Sequence, residues 1–287
     1  VIEAPTGRAL LAFLCAAALW PVVHYLYQTW TQGTLGGAGA GMVALPAALG
    51  LAVLARRRPP PDVDWPAEAA PWVMAAGAGL YAVGAALARL DANAWLIAGP
   101  GLALGGFGLL FALRGARTAA RYAFPIGFAL FALPWEIFLR ELDPPLQIAS
   151  ARLGVWMLEA FGHELRWWNP YTFWNDRYYL IVNETCSGMN MLVTLTMYTT
   201  VFGWLTLRTL PRRAALLVLV LPLALVANGA RVAVIWWMGA VGGDDLAMGF
   251  WHTGSAYVIF LPVFWVLYRA ARWLGRGEAG PRVQPAG

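Results

Sequence analysis

Cys186 stands in the run Asn183-Glu184-Thr185-Cys186-Ser187-Gly188, where a polar, aromatic-rich stretch meets a long apolar run. A thiol at a water-to-membrane junction is placed to act as a nucleophile, because thiolate is the reactive form and needs access to its target. The apolar run after it predicts a helix that begins at Cys186. The helix dipole then favours thiolate over thiol, and the first backbone amides can receive an oxyanion. Ser187 and Gly188 allow close backbone approach, whereas Glu184 opposes ionisation if it points at the sulfur. A second group is Asn228-Gly229-Ala230-Arg231, within an apolar segment. A guanidinium inside a hydrophobic helix costs about 3 kcal/mol even on the mild insertion scale, so Arg231 is expected to face a cavity, a partner or a substrate. One reading makes it an oxyanion or substrate ligand. The other pairs it with Glu136 or Glu184. Asn228, three residues earlier, shares its helix face and either holds the guanidinium or donates to an oxyanion. His252, in Trp251-His252-Thr253-Gly254, is the first choice for the base, with room left by Gly254, Ser255 and Ala256. His24 is the second choice. Cys15, inside the first apolar segment, reads as packing.

These residues need elements to position them, and composition says what kind. Of 287 residues, 60% are hydrophobic and 12% are charged. Mean hydropathy is +0.59. A soluble chain carries about twice that charged fraction, so the fold class is an all-α polytopic membrane protein. At roughly 20 apolar residues per crossing, eight spans are predicted, near 9–27, 38–55, 72–88, 94–113, 122–139, 186–207, 214–238 and 252–268. Glycines such as Gly77, Gly79 and Gly99 to Gly108 suit close helix packing in lipid. The chain reads as one membrane domain over 1–287, with scaffold spans over 1–120, a catalytic core over 121–275 and a tail over 276–287. The first residue is Val1, so an initiator Met or a leader is expected ahead of it.

The basic residues are all arginine, and the net charge is +5. Arg56 to Arg58, Arg114, Arg117, Arg121, Arg208, Arg212, Arg213, Arg269, Arg272, Arg276 and Arg282 fall in the loops after spans 2, 4, 6 and 8, and Arg8 precedes span 1. By the positive-inside rule both termini are cytoplasmic and the charge reflects inner loops, so no nucleic-acid partner is expected. Residues 140–185 are then extracytoplasmic, and Cys186, Arg231 and His252 lie on the same side, from three helices. In that loop, Pro144 to Gly162 predicts an interfacial helix. Tyr171 to Trp174 and Tyr178 to Val182 predict a short hairpin around Asn175-Asp176. Its aromatic residues, Trp174 and Tyr178 among them, form either a belt at the headgroup level or a wall for a peptide substrate.

Other signatures are missing. There is no His-Glu-x-x-His, no Gly-x-Ser-x-Gly, no Walker motif and no dinucleotide fingerprint. Two cysteines, Cys15 and Cys186, make no disulfide framework. No cofactor or metal is expected.

Taken together, Cys186-Ser187-Gly188, Asn228-x-x-Arg231 and His252 resemble the exosortase/archaeosortase family of membrane cysteine transpeptidases. Phe131-Ala132-Leu133-Pro134 and Pro144-Pro145-Leu146-Gln147 also look like that family, and the resemblance covers roughly residues 120–265. It implies about eight spans, catalysis by Cys186, Arg231 and His252, and location in a bacterial or archaeal cytoplasmic membrane. It further implies substrates that are exported proteins with a C-terminal motif, a transmembrane helix and a basic tail. These would be cut outside and joined to an acceptor of unknown kind, often alongside exopolysaccharide production. Membrane lipids are the remaining partner. The rival reading is a non-enzymatic component of exopolysaccharide export or assembly, in which Arg231 binds an anionic lipid or sugar phosphate and Cys186 is incidental.

Overall fold

The computed structural model describes residues 20–28, 38–134, 139–183, 186 and 188–276. It divides into two compact units, Val1–Ile137 and Phe138–Gly287. The chain is a helical membrane protein, and its described residues include a small antiparallel sheet. Among the described residues, four stretches are long and apolar enough to cross a bilayer: Ala69–Leu87, Trp95–Arg114, Leu210–Met248 and Gly254–Gly275.

In the first unit, residues 20–28 are helical, followed by α1 (Ala38–Arg57), α2 (Ala69–Leu87), α3 (Trp95–Arg114) and α4 (Ala116–Phe128). α2 and α3 cross with almost no side chain between them. A Cβ on Gly84 would lie 2.5 Å from the Ala98 nitrogen, and one on Gly108 would lie 2.5 Å from that of Met74. Gly77 faces Gly105 in the same way, whereas Gly79 and Gly106 face open space. The small-residue expectation therefore holds along one stripe of each helix. The span expected over 122–139 is not one helix. α4 ends at Phe128, a tight turn covers Ala129–Ala132, and Leu133 is extended at φ −72°, ψ 146°. Pro134 is the cause, since a proline ring drives the residue before it out of the helical region.

The second unit begins with α5 (Asp143–Ala160), opened by Pro144 and Pro145 and followed by Gly162 at φ +85°. This is the helix that the Pro144 to Gly162 pattern predicts. Next come β1 (Arg166–Asn169), β2 (Thr172–Trp174) and β3 (Tyr179–Ile181), antiparallel in the order β1-β2-β3. The hairpin forms as expected, with Phe173 opposite Leu180. β1 is an added strand that alternation did not signal. Four helices follow: α6 (Met189–Thr206), α7 (Leu210–Val218), α8 (Val220–Met248) and α9 (Phe250–Gly275). α7 passes into α8 through Leu219, still helical at φ −68°, ψ −18°. The break there follows from Pro222, which has no N–H for the Val218 carbonyl. The apolar helical stretch expected over 214–238 therefore begins before residue 214 and runs past 238. α8 is broken at Gly243, whose φ of +73° is open to glycine at little cost.

Among the described residues, two apolar cores hold this unit. Val155, Leu158, Phe173, Leu180, Val182, Cys186, Val232, Ile235 and Trp236 form one, between α5, the sheet and α8. Leu195, Leu207, Leu216, Val220, Val263 and Leu267 form the other, among α6 to α9. α5 meets α8 closely at Gly154 and Gly229: a Cβ on Gly229 would stand 2.6 Å from the Leu153 Cβ.

Candidate active site

α6 begins at Met189 with Gly188 ahead of it, so the helix expected from Cys186 starts three residues later. The cause is local. Gly188 holds φ +87°, a conformation that cannot continue a right-handed helix upstream. Cys186 is therefore in the turn before the helix, and its N–H donates to the Asn183 carbonyl at 2.9 Å. It is also 4% exposed, so the water-facing placement read from its flanks is corrected: the thiol is covered by the α5–sheet–α8 core.

Asn228 reaches this turn from α8. Its Nδ2 donates to the Cys186 carbonyl at 2.7 Å and to Ser150 Oγ of α5 at 2.9 Å. With 1% exposure it is a buried amide spent on fixing backbone, and its Nδ2 contacts are to the turn and α5. Gly188 makes room for it, since a Cβ there would come within 2.9 Å of Asn228 Cγ and Nδ2.

His252 comes from the first turn of α9. Its Nε2 lies 3.9 Å from Cys186 Sγ, at the long end of contact for sulfur. Catalytic hydrogen bonds are often long before substrate binds, and this distance suits a proton carrier and its nucleophile. Arg231, one turn along α8 from Asn228, donates from Nη2 to the His252 carbonyl at 2.8 Å. Its Nε is buried and has no partner among the described residues. The guanidinium thus braces the backbone of the histidine while keeping a donor unspent. The buried Ser255 Oγ, one turn beyond His252, is likewise without a partner among the described residues.

The other expected residues fall as follows. Glu184 and Ser187, and Glu136 as a partner for Arg231, lie outside the described residues. So does Cys15. His24 is exposed in the first unit and stacks on Trp20, ring centroids 6.0 Å apart. Tyr178 packs against the Cys186 core, and its hydroxyl donates to Asp244 Oδ1 at 2.7 Å. Trp174 is not brought to the thiol. Strand alternation buries its neighbour Phe173 in that core and turns Trp174 to the opposite face, under the Arg166 guanidinium at 5.6 Å. There it lines a cleft of about 470 Å³ with Trp168, Asn169, Thr172, Tyr179 and Ile181.

A protein-family model described as transmembrane exosortase matches residues 30–269. The chain belongs to the exosortase family. No curated protein and no solved structure matches it. The family carries a membrane transpeptidase-like role in general terms, and the cysteine, arginine and histidine of this exosortase meet in one unit. Ser150 and Asp244 were missed by the sequence reading. A lone serine on an amphipathic helix and an acid after paired glycines carry no signal until their partners are known.

Proposed function

We propose that this exosortase is a membrane thiol transpeptidase that cuts the C-terminal sorting signal of exported proteins. His252 takes the Cys186 thiol proton, the thiolate attacks the scissile carbonyl carbon, and the negative charge developing on oxygen is met by Arg231. The C–N bond breaks, His252 delivers the proton to the leaving amine, and a thioester to Cys186 remains. The acceptor nucleophile then loses its proton to His252, attacks the thioester and releases the thiolate. Eight spans with both termini cytoplasmic would put this chemistry on the extracytoplasmic side, where exported substrates arrive. Their basic tails would stay inside. The domain reading of a scaffold over 1–120 and a catalytic core over 121–275 accompanies that topology, and membrane lipids surround both.

The reading is supported above all by the 3.9 Å separation of Cys186 Sγ and His252 Nε2. Its test is processing of a tagged substrate bearing a motif, an apolar helix and an Arg-rich tail. Cys186→Ala is expected to abolish cleavage with normal membrane abundance, and Cys15→Ala to leave it intact. An active Cys186→Ala protein overturns the thiol mechanism and favours the export-component reading. Product mass then separates water from an amine or lipid-linked acceptor.

A further inference from the structure

Cys186 stands in the turn ahead of α6 and His252 in the first turn of α9, and one hydrogen bond ties together the segments that lead into them. Tyr178 stands just ahead of β3, the strand that leads through Val182 and Asn183 to Cys186. Asp244 follows the Gly243 kink and starts the segment that leads through Gly249 to His252. Tyr178 Oη donates to Asp244 Oδ1 at 2.7 Å. Two further contacts seat the tyrosine on α8. Its carbonyl accepts from Trp236 Nε1 at 3.2 Å, and its ring occupies the space a Cβ on Gly239 would need. Burial, and then the bond to Asp244, push the phenol's pKa well above its ordinary value, so the hydroxyl stays a donor.

Gly242 to Asp245 is exposed around the left-handed Gly243, where α8 kinks; the helical turn after the kink runs on to Met248 and buries Ala247 in the core that holds Cys186. Cys186 is held to α8 through Asn228, and the His252 backbone through Arg231. Ala247 and the Arg231 bond seat the segment after Gly243, and the Tyr178–Asp244 bond adds a tie beside its kink. We propose that the Tyr178–Asp244 clasp sets the Cys186–His252 distance, making both members positioning residues for the reaction rather than substrate contacts. This inference rests on the thiol–imidazole reading above.

The test uses the full-length protein in lipid nanodiscs, in a Cys15→Ala background so that Cys186 is the remaining thiol. Tyr178→Phe keeps the ring and removes the donor. It is expected to lower kcat by about 10-fold to 100-fold, the effect of a misplacement on the order of 1 Å, with KM and abundance unchanged. Asp244→Ala should match it, the double variant should be no worse than either single one, and Asp244→Asn, which keeps an acceptor, should recover most of the rate. A second readout needs no substrate: the rate at which a small neutral maleimide alkylates Cys186. That rate should fall in Tyr178→Phe, but Tyr178→Phe should have no further effect once His252 is alanine. Wild-type kcat and alkylation in Tyr178→Phe, with Cys186→Ala inactive, would overturn the clasp and leave the thiol mechanism standing. A raised KM with unchanged kcat would make Tyr178 a substrate contact and also overturn it. An active Cys186→Ala protein would remove the thiol mechanism instead, while the alkylation rates still decide the clasp.

Discussion

Gly188→Ala gives a worked test of how the Cys186 turn is held. Two costs separate cleanly at this position. The first is backbone: a side chain at φ +87° brings about 1–2 kcal/mol of left-handed strain. The second is contact: the new Cβ would sit 2.9 Å from Asn228 Cγ and Nδ2, so the amide must move. Moving it breaks bonds to the Cys186 carbonyl and to Ser150 Oγ, each contributing about 0.5–1.5 kcal/mol. The total is about 2–5 kcal/mol. Gly162 provides the control, with φ +85° and nothing within 4 Å of its Cβ. Gly162→Ala should therefore show the backbone cost alone, about 1–2 kcal/mol. Thermal unfolding in detergent measures the difference, at roughly 2–4 °C per kcal/mol for a unit of this size. Substrate processing is the second assay: Gly188→Ala should lose rate by about 10-fold or more because the thiol's turn loses its anchor. Pairing Gly188→Ala with Asn228→Ala removes the clash, so the double variant should cost less than the sum of the two. A Gly188→Ala protein no less stable and no slower than Gly162→Ala would refute the claim that Asn228 anchors the Cys186 turn.

His252→Ala should slow processing by about 10²–10⁴-fold, the usual range for a positioned acid–base, while His24→Ala stays active; the reverse pattern would transfer the role to His24. Arg231→Lys should insert normally but process poorly, because an ammonium lacks the planar fork that braces the His252 carbonyl while leaving Nε available. Membrane abundance and product measured together decide that case, and a well-expressed, fully active lysine variant removes Arg231 from the mechanism. Gly77→Val should lower the amount of folded protein, whereas Gly79→Val, facing open space, should be neutral; equal losses would contradict the close α2–α3 crossing.

Much of this protein was legible without coordinates. Low charge and long apolar runs settle a helical membrane protein, because a bilayer leaves unpaired backbone no partner but its own helix. Pro144-Pro145 and Gly162 bound α5, and the aromatic alternation around Asn175-Asp176 marks the hairpin, because helix caps and strand pleats are local physics. Cys186, Asn228, Arg231 and His252 stood out as reactive or costly groups at the ends or within apolar runs. What sequence did not carry was how those groups are spent. Asn228 donates to the Cys186 carbonyl and Ser150, and Arg231 to the backbone of His252. Helical spacing says which face a residue shares and is silent on what the facing element presents. The start of α6 moved to Met189 through the backbone of Gly188, whose positive φ leaves room for Asn228 from a helix far along the chain. The burial of Cys186 and the turning away of Trp174 have the same origin: sheet, α5 and α8 close over one core. Local pattern marked most of the elements and the reactive types. Tertiary packing alone decided their distances, since those depend on side chains meeting across elements that no sequence spacing links.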